Sequence, residues 1–224
     1  MRLIRALKKL KAFQGLTEQE LAWVLYDVGN SAYTMLACSL IPIWFKSIAV
    51  GHAPGQISSD NATAYYSLAI SIVTVTVALL GPVLGALADH KDKKRMYFTS
   101  AAALGMIFCV LTGFAWSWLL FLILFVVTKI CYSASLTIYD SMLGDITTED
   151  RMDEVSSNGF AWGYLGSCIP FLIALIAYVL GPDMVGLIPA LLSRGIGVFV
   201  TAAWWLMVTV PLLLDYTQKN YSSG

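Results

Sequence analysis

Charged residues are scarce in this 224-residue chain. Asp, Glu, Lys and Arg together make up 12% of the sequence, whereas hydrophobic residues make up 58%. Soluble domains contain roughly 25% charged residues on average. The scarcity of charge therefore argues against a soluble globular protein and predicts a protein that lies in a membrane.

Patterns for metal, cofactor or nucleic-acid chemistry are also missing from the sequence. The four cysteines stand singly in apolar segments and the two histidines lie in loop segments, so their spacing matches no metal or redox motif. We find no phosphate-binding loop, nucleophile triad or basic patch typical of nucleic-acid binding. These absences argue against an enzyme and predict no cofactor, no metal and no nucleic-acid partner.

Long apolar stretches dominate the sequence instead. A hydrocarbon core about 30 Å thick is crossed by roughly 20 apolar residues in a helix. Six stretches are long enough, at about 20–48, 63–88, 96–115, 117–141, 157–180 and 185–214. They predict an all-α polytopic membrane protein, with a six-helix bundle over residues 16–216 and the lipid bilayer as its surroundings.

Basic residues lie on one side of these predicted spans. They precede the first span, occupy the links between spans two and three and between four and five, and follow the sixth. The three opposite loops contain no Lys or Arg. By the positive-inside rule, both termini are predicted to be cytoplasmic.

The two ends of the chain differ from the bundle in composition. Residues 1–15 predict a basic amphipathic helix that lies among anionic headgroups, and its apolar positions are Leu3, Ile4, Leu7 and Leu10. A frayed basic tail is the alternative. Residues 217–224 predict a polar cytoplasmic tail or the start of a central linker.

The link between spans two and three carries a motif, G-P-V-L-G-A-L-A-D-H-K-D-K-K-R. It resembles the signature loop of the major facilitator superfamily, in which a glycine, a leucine and an aspartate precede a basic cluster. The matching positions are Gly85, Leu87, Asp89 and the run Lys91 to Arg95, which includes Lys93 and Lys94. The resemblance implies a cytoplasmic gating loop. Asp92 departs from the pattern, because the family usually has a second glycine there. An ordinary positive-inside loop is the alternative.

Two further segments narrow the resemblance. Y-D-V-G-N-S-A-Y begins at Tyr26, and Y-D-S-M-L-G-D-I begins at Tyr139 with V-S-S-N-G-F-A-W-G-Y-L-G-S following. They resemble the vacuolar amino-acid effluxers of fungal autophagy and their bacterial relatives. The resemblance implies the N-terminal six-helix half of a transporter, built from two inverted three-helix repeats. It also implies a bacterial inner membrane and a second six-helix half, supplied by a second copy, a separate partner or a missing segment.

Ionisable residues inside the spans are the candidate binding residues. Asp27, Lys129 and Arg194 lie in spans one, four and six, where charges usually face a bundle interior or a wet cavity. Helical spacing places Asn30, Ser31 and Thr34 beside Asp27, and Ser133 and Asp140 beside Lys129. Tyr26 could line the same site. We expect Asp27 to bind a proton or a substrate ammonium group, and Lys129 or Arg194 to meet a carboxylate. A purely structural ion pair between Asp27 and Lys129 is the alternative.

The sequence thus predicts a secondary transporter that moves a small polar solute by alternating access. Amino acids as the solute are implied by the family resemblance alone, and proton coupling depends on Asp27. The alternative is a non-transporting membrane scaffold or regulatory half-module that assembles with a partner.

Overall fold

Six long helices form the bundle. The computed structural model describes residues 2–222, and the side chains from residue 4 onward. A short helix α1 (Arg2–Leu7) and a 3-10 turn (Lys11–Phe13) precede the long helices. These are α2 (Glu18–Ala49), α3 (Ser59–Ala88), α4 (Lys94–Gly113), α5 (Trp118–Ile146), α6 (Met152–Leu180) and α7 (Ala190–Asp215). All six are long and apolar enough to cross a membrane, which confirms the all-α polytopic fold.

Helix packing follows an inverted repeat. Helix α2 packs against α6 and α7, and α5 packs against α3 and α4. If α2, α3 and α4 are exchanged with α5, α6 and α7 respectively, the contacts of α2 with α6 and α7 become the contacts of α5 with α3 and α4. Because each repeat has three spans, the second repeat crosses the membrane in the opposite direction. The contact pattern therefore agrees with two inverted three-helix repeats.

Local capping interactions and turns set the helix ends. Thr17 and Glu20 form a capping box at the start of α2, with backbone-to-side-chain bonds of 2.7 and 3.1 Å. Helix α7 begins at Ala190, five residues later than expected, because Gly186 adopts a positive φ of 75° and Pro189 occupies the N-cap. Helix α5 instead extends beyond its predicted apolar stretch to Ile146. Helix α6 begins before its predicted stretch, at Met152.

An ion pair with a buried carboxylate joins the start of α2 to the start of α6. Glu20 is 2% exposed and lies 3.0 Å from the Arg151 guanidinium. Thr147 donates a 2.6 Å hydrogen bond to the same carboxylate. Thr147 and Arg151 lie in the segment that links α5 to α6. Their bonds to Glu20 therefore attach this segment to α2.

The N-terminal segment packs against the bundle. Ile4, Phe13 and Leu16 are buried, and the Phe13 ring lies 4.6 Å from that of Trp162 on α6. The basic side chains of Arg5, Lys9 and Lys11 remain exposed or partly so. Met1 lies outside the described residues, as do Ser223 and Gly224 in the polar C-terminal segment.

Candidate functional site

A cavity of about 480 Å³ lies between α2, α5 and α6. It extends from the C-terminal end of α5 and the N-terminal end of α6 to the middle of α2. Its polar lining comprises Asp27, Asn30, Ser31, Thr34, Tyr132, Tyr139, Asp140, Ser156 and Tyr164. Trp23, Met35, Leu136, Leu143 and Phe160 complete the wall. The volume lies in the range of small-molecule binding sites.

Asp27 is the most deeply buried charged group in this lining, with 9% of its surface exposed. Asn30 donates a 3.1 Å hydrogen bond from Nδ2 to Asp27 Oδ1. The expected polar face of α2 is therefore present, since Asp27, Asn30, Ser31 and Thr34 all line the cavity. An acidic group so placed can bind a proton or a cation.

Two glycines of α6 make room for this carboxylate. A Cβ on Gly163 would lie 3.0 Å from both Asp27 Oδ2 and Ser31 Oγ. A Cβ on Gly159 would lie 3.0 Å from the Trp23 ring and 3.4 Å from Asp27 Oδ2. The G-x-x-x-G spacing thus lets α6 approach α2 closely at the site.

An aromatic pair forms the part of the wall nearest the start of α2. The rings of Trp23 and Tyr139 stack with centroids 4.3 Å apart. Trp23 Nε1 donates to the Tyr139 carbonyl, and the Tyr139 hydroxyl donates to the Trp23 carbonyl, both at 3.2 Å. These reciprocal bonds hold α2 and α5 in a fixed register. Deeper in the wall, the hydroxyls of Thr34 and Tyr132 are 2.6 Å apart.

Helix α5 divides its predicted site residues between two levels. Asp140 lines the cavity, whereas Lys129 and Ser133 lie nearer the N-terminus of the same helix, outside the lining. The Lys129 ammonium lies 5.8 Å from the ring centre of Tyr33 and 5.2 Å from that of Tyr132. Among the described residues Asp27 and Lys129 form no ion pair, so the pairing given as the alternative to a binding role is absent from this structure.

Tyr26 and Arg194 lie away from the cavity. Tyr26 is fully buried between α2 and α5, outside the cavity lining, and its hydroxyl is 2.8 Å from that of Ser135. Arg194 is half-buried in the second turn of α7, where its carbonyl is 3.3 Å from a Cβ built on Gly113. Arg194 is therefore at the end of the bundle opposite the loop that follows α3, and the structure does not bring it to Asp27.

The predicted gating loop follows α3. Asp89 is the C-cap of α3, and its amide donates to the Gly85 carbonyl at 3.0 Å. Asp92 has a φ of 60°, a left-handed conformation that glycine adopts freely, which explains why glycine suits this position. A Cβ on Gly85 would meet no atom within 4 Å. Gly85 therefore makes no close helix contact within the described part of the chain.

One lysine of this loop enters a buried cluster. The Lys94 ammonium lies 3.0 Å from Asp145 Oδ2, and these side chains are 4% and 0% exposed. Asp89 is more distant, at 3.9 Å from the same ammonium, and 56% exposed. Lys93 and Arg95 are exposed to solvent. The loop is therefore fastened to the end of α5 by one ion pair.

The segment after α7 completes this cluster. The Tyr216 hydroxyl donates to Asp145 Oδ2 at 2.5 Å, and the Asn220 amide donates to Oδ1 at 2.7 Å. Burial and the adjacent Asp145 carboxylate raise the pKa of Tyr216, so its hydroxyl stays protonated as a donor. Gln218 bonds to the Lys94 amide and the His90 carbonyl, at 3.3 and 3.2 Å. Residues 216–222 thus cap the gating loop.

Several residues of the site escaped sequence reasoning. Ser156, Phe160 and Tyr164 share one face of α6 at i, i+4 and i+8, and this spacing could have placed them together. Asp145 could have been suspected as an acidic residue near the end of an apolar span. Trp23 carried no comparable signal, because aromatic residues at span boundaries usually reflect the membrane interface.

Comparisons with known proteins agree with this architecture. The family model for the Major Facilitator Superfamily matches residues 28–219. The chain is 36% identical over 208 residues to the uncharacterized MFS-type transporter YxiO of Bacillus subtilis (strain 168). The alignment covers 92% of this chain and 48% of that protein, so the chain spans about half the length of this relative. No solved structure matches the chain.

Proposed function

Because the chain belongs to the major facilitator superfamily, we propose that it is one six-helix half of a secondary transporter that works by alternating access. The family implies membrane transport, and the chain is an integral multi-pass membrane protein. The transported solute in this proposal is small and polar. Amino acids are the class favoured by the resemblance to vacuolar effluxers.

The observation that carries the proposal is the position of Asp27. This carboxylate is nine-tenths buried within the bundle, yet it borders a cavity of about 480 Å³ rather than a complementary cation. A bundle held together only for structural reasons gains nothing from a buried carboxylate that pairs with no cation of the described residues, because desolvating a charge is costly. Asp27 is accordingly proposed to carry the proton of a proton-coupled cycle, with Asn30 orienting it.

A second six-helix half completes the proposed transporter. Transporters of this family hold the solute between two halves near the bilayer midplane. The B. subtilis relative is about twice as long as the aligned region, which favours a distinct second half over a second copy of this chain.

The gating loop and the orientation follow from the same proposal. With both termini on the cytoplasmic side of a bacterial inner membrane, the Lys94–Asp145 cluster lies at the cytoplasmic surface. Gly85, Asp89 and the basic residues Lys93 and Arg95 then face the second half. Their exposure within this chain fits such a partner.

Solute flux tests the proposal. The chain is reconstituted in proteoliposomes with its second half, and uptake of radiolabelled amino acids and amines is measured with and without a proton gradient. We expect saturable uptake that the gradient stimulates and that Asp27→Asn reduces at least about tenfold, because the variant cannot exchange a proton. Asp150→Asn removes an equal charge from an exposed position outside the cavity and should transport normally.

The non-transporting alternative gives a different result. A scaffold or regulatory half-module would assemble with its partner and show no saturable uptake with any solute or variant. Retained uptake in Asp27→Asn with normal gradient stimulation would instead contradict the role given to this carboxylate.

A further inference from the structure

We propose that the cavity between α2, α5 and α6 binds a small organic cation, an amine whose ammonium group meets Asp27 and whose apolar part lies on the aromatic wall. This inference rests on the proposed function only in taking the cavity as the solute site. It goes further by assigning the solute a charge and a shape, and it favours amines over the zwitterionic amino acids that the family resemblance suggests.

The charge of the cavity has one sign. Its lining contains two carboxylates, Asp27 and Asp140, and three phenols, Tyr132, Tyr139 and Tyr164. No lysine, arginine or histidine belongs to the lining drawn from the described residues. Such a set of groups complements a cation and offers no charged partner to an anion.

Asp27 also has unused capacity to accept hydrogen bonds. Its Oδ1 accepts one bond from Asn30, while Oδ2 lies against the glycine face of α6 with no donor from residues 4–222. The side chain is nine-tenths buried, so water solvates it only through the cavity. An ammonium group entering the cavity would supply the missing donor and the missing charge.

Aromatic side chains provide the second element of recognition. Trp23, Tyr132, Tyr139, Phe160 and Tyr164 line the same cavity as the two carboxylates. Aromatic faces attract cations through the ring quadrupole and also pack against apolar groups. An amine with a hydrocarbon or aromatic body uses both properties, whereas a small, fully polar cation uses only the first.

Lys129, the basic residue predicted for this site, lies outside the cavity lining. The Lys129 ammonium faces the rings of Tyr33 and Tyr132, beyond the deep end of the lining. The carboxylate of a zwitterion bound at Asp27 would therefore be desolvated among carboxylates and phenols. Because an unpaired buried charge is costly, the cavity should discriminate against zwitterions and anions.

Equilibrium binding to four matched probes tests this inference. The chain is placed with its second half in nanodiscs of uncharged phosphatidylcholine, which limits adsorption of amines to lipid, and titrated by calorimetry against empty nanodiscs. The probes are 2-phenylethylamine, its neutral analogue 2-phenylethanol, zwitterionic phenylalanine and anionic 3-phenylpropionate. We expect the amine to bind at least about tenfold more tightly than the other three.

Variants then assign the preference to residues. Asp27→Asn should weaken amine binding at least about tenfold and bring it close to that of the alcohol. Lys129→Met and Asp150→Asn should leave it within about twofold, since neither residue lines the cavity. Circular dichroism and elution volume show whether each variant is folded, and Asp27→Glu, which keeps the charge, should retain the preference for the amine.

Three results would overturn the inference. These are equal binding of phenylalanine and phenylethylamine, loss of binding in Lys129→Met, and no binding of any probe. The proposed function is tested separately from this inference. Flux of an uncharged or zwitterionic solute would refute the cation preference alone, whereas amine binding without flux of any solute would refute transport alone.

Discussion

Lys94 shows how one side chain of a basic loop can differ from its neighbours. Lys93 and Arg95 are exposed, whereas the Lys94 ammonium is buried between Asp145 and the Ser141 carbonyl, at 3.0 and 3.3 Å. Removing one partner of a buried ion pair leaves the other charge uncompensated. The loop therefore depends on Lys94 for its attachment, although the sequence offers four basic residues in five positions.

Replacing Lys94 by Met should destabilise the fold. We expect a loss of about 3 kcal/mol in the free energy of unfolding, at the low end for a broken buried pair because Tyr216 and the Asn220 amide still bond to Asp145. Reversible unfolding in mixed detergent micelles measures it. Lys93→Met removes the same charge from the surface and should change stability by less than about 0.5 kcal/mol. Equal losses in the two variants would contradict the assignment.

The direction in which each side chain points from its helix limited what could be predicted for single residues. Asp27 and Asn30 were identified from their polarity inside an apolar stretch, and both line the cavity. Tyr26 precedes Asp27 but points elsewhere, because successive helical residues are rotated by about 100°. The height of Lys129 along α5 was also predictable, yet its contact with two aromatic rings depends on packing that one sequence does not specify.

At the scale of helices, hydropathy predicted the six spans but not their ends. An apolar stretch reports the residues that lie in lipid, and a helix continues beyond them while its backbone and side chains find partners. The Lys94–Asp145 and Glu20–Arg151 pairs supply such partners at the C-terminal end of α5 and the N-terminal end of α6. Both pairs join residues far apart in sequence, which is why neither was foreseen.

Close approach of α2 and α7 depends on Gly29. A Cβ at this position would lie 2.6 Å from Val208 Cγ2 and 3.1 Å from the Trp205 backbone. Gly29→Ala should therefore lower the free energy of unfolding by about 1–3 kcal/mol through overpacking.

Gly85→Ala is the matched control for this prediction, measured by the same unfolding titration. A Cβ there meets nothing within 4 Å, so the variant should be neutral or more stable by up to about 1 kcal/mol through helix propensity. Comparable destabilisation by both substitutions would show that contact with α7 is not what makes Gly29 necessary.

At the scale of the whole molecule, the chain has the features of a six-helix half-domain of the major facilitator superfamily. The family match covers most of the chain, the alignment covers 48% of the B. subtilis relative, and the packing follows an inverted repeat. This architecture was predictable because the signature loop and the charge asymmetry are both local sequence features. The cavity was less predictable, because its third wall comes from α6, whose polar residues are widely spaced.

The account as a whole depends on Asp27 facing a wet cavity rather than sealed packing. Thr34 lies near the middle of α2 and lines the cavity, whereas Val75 lies near the middle of α3 and is 59% exposed on the outer surface of the bundle. Both positions are deep in the bilayer, so their access to water distinguishes a cavity from a lipid-facing surface.

The most direct measurement is therefore thiol accessibility in membranes. Thr34→Cys and Val75→Cys are compared in a background with Cys38, Cys109, Cys131 and Cys168 replaced by Ala, using a cationic, membrane-impermeant methanethiosulfonate. We predict that Thr34→Cys reacts at least about tenfold faster, because thiolates form in water and not in apolar surroundings. If Thr34→Cys reacts as slowly as Val75→Cys, Asp27 is sealed in packing and the proposed solute site does not exist.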